Sequence, residues 1–166
     1  MFSAVATRLE AKKQRRPLAL LHLNLEHFRE VNDTLGHNRG DSLLQQVGMR
    51  LRGALFTPDT VARLGADEFG ILLPRLAAID DVRHVIKKVQ DCLEAPFTID
   101  GIPIAVEASI GVATMPEHAD DADTLLQRAD IAMHQAKQMA SGYAVYAPEY
   151  DRHSPERLGL MAELRE

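Results

Sequence analysis

The sequence predicts an α/β fold: a central mixed, mainly antiparallel sheet flanked by helices. Three observations carry that reading. Residues 18–25 are a nearly continuous apolar run of strand length, the pattern of a central strand covered on both faces. Residues 61–64 and 69–73 are short apolar runs on either side of Gly65-Ala66-Asp67-Glu68, which reads as a β-hairpin. Around these strands lie segments whose apolar residues recur every three or four positions, so helices alternate with strands.

Taken in order, residues 1–16 read as a helix whose basic end, Lys12-Lys13-Gln14-Arg15-Arg16, suits a helix C-terminus and is stopped by Pro17. After the strand at 18–25 comes a helix with Phe28, Val31 and Leu35 on one face and Gly36 as its C-terminal cap. Asp41 is expected to cap a second helix, with Leu44, Val47, Leu51 and Leu55 facing the core. The hairpin follows, with Gly65 supplying unusual backbone geometry at the turn. Residues 79–93 form an amphipathic helix with Val82, Val85, Ile86, Val89 and Leu93 inward. Residues 97–100, Gly101 and 102–112 read as a second hairpin, because Ile104, Val106, Ala108, Ile110 and Val112 alternate. Asp120, Asp121 and Asp123 open a helix carrying Leu125, Leu126, Ala129, Ala132, Met133 and Ala136, where acids favour the dipole. Residues 143–146 are a last short strand, and 155–166 begin another amphipathic helix.

The chain has 166 residues and 46% apolar residues, which suits one globular domain. Its net charge of −5 argues against a long nucleic-acid polymer as partner, while a small anion needs only a local cluster of cations. The single cysteine, Cys92, excludes an internal disulfide, fits a reducing cytoplasmic compartment and reads as a buried inert thiol. No run is apolar enough for membrane contact.

Two adjacent carboxylates, Asp67 and Glu68, sit at the hairpin tip. A solvated acidic turn accounts for them, and so does a Mg²⁺ site carrying a nucleotide. If the end of the first strand lies beside this turn, Asn24 and Glu26 join them, and Arg29, Arg39, Arg63 and Lys137 are candidate phosphate partners. The seven histidines show no metal-binding spacing on a helix and read as surface or core residues. Ser109 beside Gly111 lacks a nucleophile-elbow pattern.

From Pro17 to about Tyr146 the sequence resembles the GGDEF domain family, the diguanylate cyclases that join two GTP molecules into cyclic di-GMP. Residues 23–29 (LNLEHFR), 32–37 (NDTLGH), Gly40-Asp41, 63–69 (RLGADEF), 108–112 (ASIGV) and 129–137 (ADIAMHQAK) carry the resemblance. It implies a fold related to the nucleotidyl cyclase and polymerase palm, with a ferredoxin-like core. It also implies Mg²⁺ (or Mn²⁺) held by Asn24, the Leu25 carbonyl and Asp67, with Glu68 near the metal and the reacting hydroxyl. By the same resemblance Asn32 and Asp41 bind guanine, Arg29 and Lys137 bind phosphate, and two domains face each other as a homodimer.

Four departures qualify this. Asn24 replaces the family's first metal acid, and Ala66 replaces the second glycine of the turn, with a Cβ that disfavours a positive φ. Ala140 and Ser141 stand where the family has a Gly-Arg pair, so one phosphate-holding cation is gone. Phe56 replaces the arginine of the product-inhibition motif, of which Asp59 remains. Together they imply a domain without cyclase activity that binds GTP and regulates an attached phosphodiesterase. A slow cyclase and a nucleotide-free dimerisation scaffold are the alternatives. Residues 1–16 lead into a GGDEF domain at 17–150, and 151–166 resemble the start of a connector to an EAL domain.

Overall fold

A computed structural model describes residues 17–55, 60–74 and 80–151. Strand β1 (Leu18–Leu25) is the axis of the fold, and all eight of its residues are buried. The remaining elements follow in order: α1 (Phe28–Leu35), α2 (His37–Ala54), β2 (Thr60–Gly65), β3 (Glu68–Leu73) and α3 (Asp80–Glu94). Then come β4 (Phe97–Ile99), β5 (Ile102–Ile104), β6 (Ala108–Met115), α4 (Ala122–Met139), β7 (Tyr143–Val145) and α5 (Pro148–Asp151). The main sheet has five strands in the order β2-β3-β1-β6-β7. Only the β6–β7 pair is parallel, so the sheet is mixed and mainly antiparallel.

Because strand side chains alternate, β1 faces two different layers. Ala19, Leu21, Leu23 and Leu25 join Leu43, Val47 and Leu51 of α2 and Ile86 and Val89 of α3 in one core. Leu18 and Leu20 join Leu125, Ala129 and Ala132 of α4 in the other. A fully buried leucine such as Leu21 or Leu23 contributes about 2 kcal/mol on this basis. Helix α4 is started by Asp121, whose carboxylate accepts from the Thr124 N–H at 2.8 Å. It reaches the sheet at Gly111, where a Cβ would lie 2.1 Å from both Ala129 O and Met133 N. The glycine is what allows helix backbone to touch strand.

Three expectations need correction. Asp41 does not cap the second helix: α2 begins at His37, with Gly36 at φ 94° serving as cap for both α1 and α2. Asp41 is therefore an exposed residue of the first turns of α2. The run 102–112 is not one strand. Its apolar alternation holds, since Ile104, Val106, Ala108, Ile110 and Val112 all meet the same core. Its hydrogen bonding does not, because β4 and β5 pair only with each other and β6 pairs with β1. Pro103, opposite Thr98, donates no ladder hydrogen bond and suits an edge. Finally, the hairpin turn is shorter than four residues, with Ala66 and Asp67 alone between β2 and β3. The helices expected at 1–16 and 155–166, and Phe56 and Asp59, lie outside the described residues. Among the described residues no helix is long and apolar enough to cross a membrane.

Candidate functional site

The register of the sheet builds the site. Asn24, next to last in β1, is the cross-strand partner of Glu68 on one side and of Ser109 on the other. Directly opposed residues share a face, so the amide and the carboxylate look the same way. Asn24 is 5% exposed, and its Oδ1 is buried without a hydrogen-bond partner. The Leu25 N–H donates to the Asp67 carbonyl at 2.9 Å and fastens the turn to β1. Asn24, Leu25, Asp67 and Glu68 are thus brought together at one end of three adjacent strands. The Glu68 carboxylate on the same face as an orphaned amide oxygen, with Asp67 next to it in the chain, suits a hard divalent cation such as Mg²⁺, and a lone acceptor there is otherwise costly.

The turn itself explains the substitution at residue 66. Neither Gly65 nor Ala66 has a positive φ, so the expected backbone penalty at Ala66 does not arise. At Gly65 a Cβ would stand 3.0 Å from Glu68 Oε2, the movable end of a flexible side chain. Arg63 braces the turn, donating from Nε to Gly65 O (3.0 Å) and from Nη2 to Ala66 O (3.1 Å). Arg63 is therefore engaged with backbone, and Arg39 is paired with Asp100 at 3.1 Å. Both of these candidate phosphate partners are engaged within the chain. Arg29 is exposed on the first turn of α1.

Lys137 lines an open groove of about 630 Å³ together with Glu26, His27, Ser109 and Gly142. The last turn of α4 thus faces the β1–α1 loop. Glu26 accepts from Ser109 Oγ at 2.5 Å, which engages the one serine weighed as a nucleophile. At the C-terminus of α4, Ala140 adopts φ 51° and ψ 38°, a left-handed cap that a glycine accepts without strain. The Ser141 hydroxyl donates to Tyr143 O at 3.0 Å and brings no charge.

Asn32 lies where α1 meets α2. Its Oδ1 is buried without a partner, and a Cβ on Gly40 would stand 1.8 Å from it. Gly40 leaves room for that amide, and Asp41 follows it on the exposed side of α2. A groove of about 620 Å³ runs along α1 past Phe28, Val31 and Leu35, but neither Asn32 nor Asp41 lines it.

Sequence reasoning missed His22. It lies two positions before Asn24 on the same face, 3.4 Å from Glu68 and 3.7 Å from Asp130. The signal was a histidine interrupting an otherwise apolar run, in step with Asn24. Cys92 is half-buried, and desolvation raises its thiol pKa, which keeps it protonated and unreactive.

The model of the diguanylate cyclase GGDEF domain matches residues 1–142. The chain belongs to the GGDEF domain family. Over 134 residues it is 42% identical to diguanylate cyclase TpbB of Pseudomonas aeruginosa, covering 80% of this chain and 31% of TpbB. It is 34% identical over 158 residues to MucR, a bifunctional diguanylate cyclase/cyclic di-GMP phosphodiesterase of the same species, covering 95% of this chain and 23% of MucR. This GGDEF domain therefore spans about a third or less of the length of these relatives. The crystal structure of the TpbB GGDEF domain superposes with a TM-score of 0.83 at 38% identity, covering 87% of this chain and 92% of that one. The cyclase fold and membership of a cyclic di-GMP signalling family follow.

Proposed function

We propose that this GGDEF domain binds GTP, with Mg²⁺ or Mn²⁺, as a regulatory module of a longer cyclic di-GMP signalling protein, and that it has lost the cyclase reaction. The observation that carries the reading is Asn24. The group opposite Glu68 at the buried end of β1 is a neutral amide, where an aspartate would hold the metal and help ionise the attacking hydroxyl. The amide is still an oxygen ligand, so Asn24, the Leu25 carbonyl and Asp67 retain a weakened metal site. The neutral Ser141 removes a cation from the phosphate end and leaves Lys137 and Arg29. Guanine recognition is supported separately: the unpartnered Oδ1 of Asn32 suits a base N–H, and the Asp41 carboxylate suits the neighbouring donors.

In this reading residues 17–150 are the nucleotide-binding domain, 1–16 lead into it, and 151–166 start the connector to an EAL phosphodiesterase domain. GTP regulates that partner only if it binds two states of the tandem protein with different affinity. The test is incubation of the chain with GTP and Mg²⁺, alone and as Asn24→Asp/Ser141→Arg. Cyclic di-GMP is expected from the restored variant only. Product from the unaltered chain that disappears in Glu68→Gln would overturn the loss of activity.

One observation favours the slow cyclase as second reading: Ala66 sits in the turn without a strained φ, and Asp67 and Glu68 are both retained there.

A further inference from the structure

Helix α2 is tied at three heights to the stretch that forms β4 and its turn. Arg39 Nε donates to Asp100 Oδ2 at 3.1 Å, and Gln46 Nε2 donates to Thr98 O at 3.1 Å. Arg50 donates from Nη1 to Cys92 O and Ala95 O and from Nη2 to Pro96 O, with its guanidinium 3.6 Å above the Phe97 ring. Positions 39, 46 and 50 are seven and four apart, so the three ties lie along one side of the helix. The Arg39 tie differs from the other two. It ends on a side chain, and it holds the first turn of α2, whose N-cap Gly36 supplies no side-chain hydrogen bond.

Asp100 is a fixed point for such a tie. It adopts φ 51° and Gly101 φ 81°, two left-handed residues that close the hairpin between Ile99 and Ile102 as Asp-Gly turns do. The hairpin is a two-stranded sheet of its own, anchored by Phe97 and Ile99 in the core. On the other end of the ion pair, Arg39 is followed by Gly40, where a Cβ would stand 1.8 Å from Asn32 Oδ1, and then by Asp41. Any shift of the first turn of α2 moves both the wall behind the Asn32 amide and the Asp41 carboxylate.

We propose that Arg39 and Asp100 are positioning residues for guanine: their ion pair holds the first turn of α2 where Asn32 and Asp41 address one base together. This rests on the reading that those two residues bind guanine. Both charged side chains reach solvent, so the pair contributes little to overall stability, and its effect on binding is modest. The competing role for Arg39 is direct contact with phosphate. The two roles assign opposite consequences to Asp100. A brace breaks from either end, whereas loss of the Asp100 charge would free Arg39 for a phosphate.

GTP is titrated calorimetrically, with Mg²⁺, into the 166-residue chain and into Arg39→Gln, Asp100→Asn and the double variant. Asn-Gly closes the same turn as Asp-Gly, and glutamine suits a helix about as well as arginine, so the elements are kept. Circular dichroism checks that all four proteins are folded under the titration conditions, where a pair that merely added stability would leave affinity unchanged. The expected result is GTP binding about threefold to fivefold weaker in each single variant, with no further loss in the double variant. Weakening by Arg39→Gln alone, with Asp100→Asn unchanged or tighter, would overturn the proposal in favour of a phosphate contact. Equal affinity in all four proteins would overturn it and leave guanine recognition intact. Failure of the unaltered chain to bind GTP would overturn that recognition and the brace with it.

Discussion

The two faces of the main sheet are built from the same strand to different rules. Toward α2 and α3, β1 presents Ala19, Leu21, Leu23 and Leu25, hydrocarbon from end to end. Toward α4 it begins the same way with Leu18 and Leu20, then switches to His22 and Asn24, both buried. The first face is a core and nothing else. The second is a core for half its length and a polar site for the other half. Buried polar groups without partners are expensive, and among the described residues four such side-chain atoms lie on His22, Asn24 and Asn32.

Glycines offer the sharpest way to break this comparison, because one added methyl group has opposite effects on the two faces. Gly111→Ala should be the most damaging change, since its Cβ would meet helix backbone at 2.1 Å. A loss of about 3 kcal/mol is expected from overpacking alone. Urea unfolding measures it, and α4 would carry Asp130 and Lys137 away with it. On the opposite face Gly48 lies inside α2, and its Cβ would meet only Phe69 Cε1 at 3.6 Å, an ordinary contact. Gly48→Ala should therefore stabilise the domain by about 0.5–1 kcal/mol through helix propensity. A neutral or stabilising Gly111→Ala would contradict the close docking of α4.

Ala140→Gly tests the rim of the polar half. The left-handed cap at φ 51° strains an alanine, and glycine should relieve about 1 kcal/mol, read as a higher urea midpoint. A smaller effect comes from the apolar half. Burial, aided by the nearby Arg128, lowers the pKa of His118 below its usual 6.5 against the opposing pull of Glu117. The His118 ring lies against Tyr146, and its Nδ1 accepts from the Thr114 N–H at 2.9 Å. A folded-state pKa below the unfolded one means this contribution is complete above the unfolded value and is lost as pH falls toward the folded value. The urea midpoint should drop below about pH 6.5, and less steeply in His118→Asn.

Much of the fold was legible because its elements bury regular stripes. The apolar run of β1, the acidic hairpin and the Asp121-capped α4 all announce themselves through period and punctuation. Asp41 did not, because Gly36 at positive φ lets α1 and α2 abut directly, and the helix starts before the residue that best suits a cap. The break between β5 and β6 was hidden for a related reason. The side chains keep alternating while the backbone changes hydrogen-bonding partners. At the site, the meeting of Asn24 with Asp67 and Glu68 was legible from the strand end and the hairpin turn, whereas Asn32 was singled out only by the family resemblance. His22 was not, since its neighbour Asp130 lies far along the chain and a search for histidine pairs cannot see a tertiary cluster. The penalty expected at Ala66 was misplaced: the alanine at positive φ is Ala140, at the C-terminus of α4.

The central claim is that Asn32 and Asp41 still recognise guanine although Asn24 no longer supports catalysis. Calorimetric titration of GTP and, separately, ATP into the chain with Mg²⁺ tests it most directly. GTP should bind and ATP should not, with GTP binding lost in Asn32→Ala. Equal binding of both nucleotides, or of neither, would contradict it.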